Sequence, residues 1–178
     1  MPEIISYLHQ LEEQYQNPCI QLHNFFLEYC ADAKWSSHNH QTRSGGYFDH
    51  IREILFYAHM LYPLYNKIQK LPFSLADAYL VLFLHDIEKP IKYTKNKDPQ
   101  VLQLQGENND AIRQNILQKF NIPLEEKHRH ALKYIHGEGD DYSSTHRVMS
   151  PLGAFCHICD ITSARIFFDK IEIKEKII

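Results

Sequence analysis

Apolar residues recur along this chain at intervals of three and four, the period of helices that bury one side. Ile4, Ile5, Leu8, Leu11 and Tyr15 predict an amphipathic first helix after Pro2, stopped at Asn17-Pro18. Leu22, Phe25, Phe26, Tyr29 and Ala33 predict a second helix over 20–34. Residues 35–46 are polar, end in Arg-Ser-Gly-Gly, and predict a loop. A third helix is expected from Tyr47 to Tyr62, ahead of Pro63. Ser74 reads as the N-cap of a fourth, which ends before Pro90. The polar stretch 91–106 predicts another loop. Helices are expected over Asn108–Phe120, Pro123–His136 and Pro151–Ile173. There is no internal repeat and no low-complexity segment.

Composition supports this reading. The 178 residues hold only 6 glycines and 8 prolines, and 44% are hydrophobic. Few breakers and an ample core favour an all-α, single-domain helical bundle over a many-stranded fold. The net charge of −3 offers no general attraction for long nucleic acid or an anionic membrane. The longest apolar run, Ala78 to Leu84, is too short to span a bilayer. The N-terminal residues lack a charged n-region and an apolar h-region. The 4 cysteines show no framework spacing, and Cys156 and Cys159 fall within an expected helix. A cytoplasmic protein with reduced core thiols is therefore expected.

Histidine is unusually abundant, with 12 copies. His50 shares a helical stripe with Ile54, Tyr57 and Leu61, so it should point inward. His85 and Asp86 extend the stripe Leu75, Ala78, Leu82. Asp160 lies with Leu152, Cys156, Ser163 and Phe167. Burying one polar group without a partner costs roughly 2–7 kcal/mol, and a carboxylate costs more. Two arrangements satisfy such a set: a buried His–Asp hydrogen-bond network, or a divalent cation. Imidazole nitrogens and carboxylate oxygens are the donors that Zn, Fe, Mn, Co and Ni accept, and the set as a whole favours the metal.

The order His, then His-Asp, then a distant Asp resembles the HD superfamily of metal-dependent phosphohydrolases. The matching blocks are GGYFDHIREIL around His50, LFLHDIEKP around His85-Asp86 and CDITSAR around Asp160. YIHGEGDD around His136 resembles a further element of some HD phosphodiesterases and nucleases. The resemblance covers about residues 45–170, so an HD domain over 45–178 is expected, with 1–44 as a helical extension packed on it. It implies a helical bundle, one divalent transition metal (Mn, Fe, Co, Ni or Zn, with Mg also compatible), and hydrolysis of a small phosphoester such as a nucleotide. Carried over residue by residue, the ligands are His50, His85, Asp86 and Asp160. This chain departs from the family pattern with Glu88 where Gly is frequent and Cys159 where Ala is frequent. Glu88 adds negative charge where an anionic substrate would enter.

The catalytic candidates are Asp86, Lys89 and His136. Asp86 would orient or deprotonate water beside the metal. Lys89 lies one turn beyond it and would neutralise a phosphoryl group, the alternative being a solvated helix end. His136 precedes Gly137 and would serve as fifth ligand, phosphate contact or general acid. Arg165, five residues past Asp160, falls on another face of a regular helix, and Arg43 reads as a surface residue. The rival readings are a non-catalytic nucleotide sensor and a di-iron oxygenase. The oxygenase needs extra histidines between the doublet and the last Asp; none occurs before His128.

Overall fold

The computed structural model describes residues 1–37 and 40–166. Among these the chain is all-helical: α1 (Ile4–Leu8), α2 (Glu13–Tyr29), α3 (Gly46–Ile68), α4 (Leu75–Leu84), α5 (Glu88–Tyr93), α6 (Pro99–Leu102), α7 (Asn109–Lys119), α8 (Glu126–Tyr134) and α9 (Pro151–Ile161). A π-helical turn, Thr162–Ile166, continues α9. No described helix is long and apolar enough to cross a membrane.

The centre of the bundle is α3 and α4, covered by α1, α8 and α9. α4 is buried almost all round, from Ala78 to Leu84. That fits its lack of a polar face and makes it the spine of the core. Ser74 caps it as the sequence predicts, in a capping box with Asp77. Residues of the N-terminal stretch, including Tyr7, Leu8, Leu22 and Phe26, join the same core cluster as Ile51, Leu80 and Cys156. All four cysteines are buried and free.

Two of three prolines behave differently from the expectation that each ends a helix, while α4 ends before Pro90 as expected. The first break falls at residues 9–12, and Pro18 lies inside α2. α3 runs through Pro63. Pro90 sits in the first turn of α5, where its missing N–H would have had no helical partner anyway. The other two each remove one backbone bond, but packing on both sides outweighs that loss. Around Pro18, Tyr15, Cys19 and Leu22 are buried. Beyond Pro63, Tyr65 meets Phe155, and Tyr62 donates to the Phe73 carbonyl at 2.7 Å. The expected loop over 91–106 also contains the end of α5 and all of α6. For the last helix, the expected continuation over 167–173, with Phe167, lies outside the described residues.

Both uses of a glycine occur in the pair before α3. Gly45 adopts φ +76°, the left-handed region. At Gly46 a Cβ would meet the Gln41 carbonyl oxygen at 2.1 Å, so only glycine lets that strand of loop pass. Gln41 is thereby pressed against the N-terminal end of α3, with the Trp35 backbone N–H donating to its carbonyl at 3.1 Å.

Candidate metal centre

α3 supplies His50 and the turn after α4 supplies His85 and Asp86. The last turn of α9 supplies Asp160. Ile51, Ile54 and Leu55 fix the inward face of α3, and His50 comes with them, fully buried. His85 and Asp86 follow the apolar α4 without a break in burial. The four side chains converge. His50 Nε2 lies 3.4 Å from His85 Nε2 and 3.3 Å from Asp160 Oδ1. His85 Nε2 lies 3.0 Å from Asp86 Oδ2. Donor atoms of His50, His85 and Asp86 all fall within 4.8 Å of one another, and so do those of His85, His136 and Asp160.

The other ring nitrogens are engaged elsewhere. His85 Nδ1 donates to the Leu82 carbonyl at 2.7 Å, and His50 Nδ1 meets Ser163 Oγ at 3.1 Å. Where both rings carry their proton on Nδ1, two Nε2 lone pairs face each other and repel unless a proton or cation lies between. Asp160 Oδ1, buried at the same point, has no hydrogen-bond partner among the described residues. The donor set therefore fits a cation: imidazole nitrogens with their far sides anchored, plus carboxylates.

The electrostatics agree. Burial holds His50 down to about 4, so it is neutral at pH 7. Burial alone would raise Asp160, but His50, His85 and His136 together bring it down to about 2. Burial likewise opposes ionisation of Asp86, and His85 and Lys89 overcome it, holding Asp86 well below the ordinary range. His85 is raised, since Asp86 and Asp160 outweigh its burial.

A cleft of about 510 Å³ opens over the centre, lined by Trp35, Asp86, Lys89, His136, Asp160 and Arg165 among others. Lys89 Nζ donates to Asp86 Oδ2 at 2.7 Å. His136 Nε2 lies 3.7 Å from Asp86 Oδ1 and 3.9 Å from Asp160 Oδ2. Burial and the charge of His85 lower His136, so it too is neutral at pH 7. The negative charge expected from Glu88 is matched: Arg113 grips it with Nε at 2.8 Å and a second nitrogen at 3.1 Å. Arg165 differs from expectation. The π-turn returns at i+5 rather than i+4, which brings position 165 round to the cleft that Asp160 lines. Arg43 pairs with Asp49 on the surface. His128 lies away from the centre, bonded to Asp77 at 2.8 Å.

The sequence reading missed Trp35, Glu53 and Arg113. Trp35 Nε1 donates to Asp86 Oδ2 at 2.7 Å, its ring lies against His50, and Lys89 Nζ stands 3.7 Å above it. Nothing local marks a loop tryptophan for that place. Glu53 was legible: an acid three residues beyond His50 falls on the same buried side of α3.

The fold and the cluster together define a class, an all-helical protein whose buried His/Asp site has the donors a divalent cation takes. No family model, curated protein or solved structure matches the chain.

Proposed function

We propose that this chain is a metal-dependent phosphohydrolase of the HD type, acting on a small phosphoester such as a nucleotide. The observation that carries the reading is the pair of Nε2 atoms 3.4 Å apart, flanked by Asp86 and Asp160 at the foot of a cleft that Lys89 and Arg165 also line. His50, His85, Asp86 and Asp160 would hold one divalent transition metal. The cluster that includes His136 reuses His85, so the two donor sets overlap at one centre with His136 at its rim. A bound cation would lower the pKa of coordinated water from 15.7 towards about 7 and polarise a phosphoryl oxygen.

The chain's own groups then divide the work. Asp86, held firmly ionised by His85 and Lys89 and fixed in direction by the Trp35 N–H, is a poor proton acceptor, so it orients and ligates rather than abstracting a proton. Neutral His136, on the cleft wall, offers a nitrogen that takes a proton from an entering water or passes one to a leaving oxygen. Lys89 and Arg165 supply positive charge where a phosphoryl group enters. The arrangement supports hydrolysis at a phosphorus centre over mere sensing, because ligands, proton carrier and cations all border one cleft.

The test is elemental analysis of the purified protein, followed by phosphatase and phosphodiesterase assays with Mn, Co, Ni and Mg. Asp86→Ala should abolish both metal retention and turnover. Turnover that survives Asp86→Ala would overturn the mechanism.

A further inference from the structure

Glu53 is fully buried, and the reaction above gives it no part. A carboxylate in a core costs several kcal/mol unless its oxygens find donors. Here Gln41 Nε2 donates to Oε1 at 3.0 Å, and Ser163 Oγ donates to Oε2 at 2.7 Å. His40 Nε2 stands 3.7 Å from Oε2. Ser163 is buried too, and its Oγ lies 3.1 Å from both His50 Nδ1 and His40 Nε2.

Proton counting decides the polarity. A hydroxyl has one proton, and an ionised carboxylate only accepts. With that proton on Glu53, Ser163 Oγ is an acceptor for everything else. Each imidazole that bonds to it must bring its own N–H. His50 therefore carries its proton on Nδ1, and its Nε2 lone pair faces His85 and Asp160.

We propose that Glu53 is a positioning residue that sets the tautomer of His50 through Ser163. The segment 40–41 and α3 thus act together on the far side of the metal centre. The consequence for metal affinity rests on the reading above. The tautomer itself belongs to the protein whether or not a metal is bound.

Glu53→Gln is the informative change because it keeps the shape and reverses the polarity. Gln41 Nε2 still needs an acceptor, so the new amide turns its oxygen to Gln41 and its NH2 to Ser163. The serine proton is then released toward the two imidazoles 3.1 Å away, His50 Nδ1 and His40 Nε2, and the share that His50 receives drives it to the Nε2–H form, in which it cannot ligate. Ser163→Ala, a smaller disturbance to folding, removes the intermediary and should erase the preference with Glu53 intact.

The experiment is two-bond 1H–15N correlation spectroscopy of 15N-histidine-labelled, metal-free full-length protein, with His50 assigned by its loss in His50→Gln. It is paired with cobalt(II) titration of the same samples. The expected result is Nδ1–H in the wild type and Nε2–H in Glu53→Gln, with no fixed preference in Ser163→Ala. Cobalt affinity should fall roughly 10- to 100-fold in both variants. An Nε2–H wild type, or a His50 that stays Nδ1–H in either variant, overturns the relay. If the tautomer switches but the wild type binds no cobalt, the relay stands and the metal reading fails.

Discussion

Asp86 Oδ2 receives the Trp35 N–H at 2.7 Å and the Lys89 ammonium at 2.7 Å, with His85 at 3.0 Å. Such a carboxylate is fixed in direction as well as in charge. Trp35→Phe keeps the ring against His50 and removes only the donor. One hydrogen bond to a charged group contributes about 1.5–3 kcal/mol. The expected outcome is a loss of about tenfold or more in kcat/KM and a Tm lowered by roughly 3–12 °C, read by steady-state kinetics and thermal melting. An unchanged kcat/KM would show that the indole N–H does not orient the ligand. The His and Asp residues of the candidate site were legible one by one because a His or Asp on an apolar stripe is conspicuous. Trp35 was not, since its role depends on a partner 51 positions away.

At the scale of the element, α4 matters most, because it delivers the His85-Asp86 doublet. Its start is specified locally: Ser74 Oγ accepts from the Asp77 N–H at 3.0 Å, and Asp77 Oδ2 accepts from the Ser74 N–H at 2.9 Å. Ser74→Ala should cost about 1 kcal/mol and lower Tm by roughly 2–4 °C. Asp77 does more than cap, since its Oδ1 also takes His128 Nε2 at 2.8 Å and Lys127 at 2.9 Å. Asp77→Ala strands the buried His128, so its loss should be several-fold larger, about 3–5 kcal/mol. Chemical denaturation of the two variants ranks them, and equal losses would mean the His128 bond contributes nothing. Capping signals and apolar periodicity made α3, α4, α7 and α9 legible in outline. The prolines misled because their local cost is set against burial by residues far away in sequence.

For the whole molecule, the packing of α2 against α3 and α4 leaves His23 buried between the rings of Phe48 and Phe83, and burial pushes it down to about 4. The unfolded chain takes up this proton near 6.5, while the folded chain does so only near 4. The unfolded state thus binds more protons in that window, and stability falls as pH drops through it. His23→Leu should flatten the decline between about pH 6.5 and pH 4, measured by denaturation of metal-free protein. An identical slope in the variant would show that His23 does not carry it. On its own the sequence determined the helical class, the capped start of α4 and the inward placing of His50, His85, Asp86 and Asp160, because period and burial are local statements about which side of a helix is apolar. Tertiary structure alone decided that Trp35 lies over the site, that Arg113 neutralises Glu88, and that a widened turn carries Arg165 to the cleft. Each of those depends on distances between segments, which no pattern along a single segment encodes.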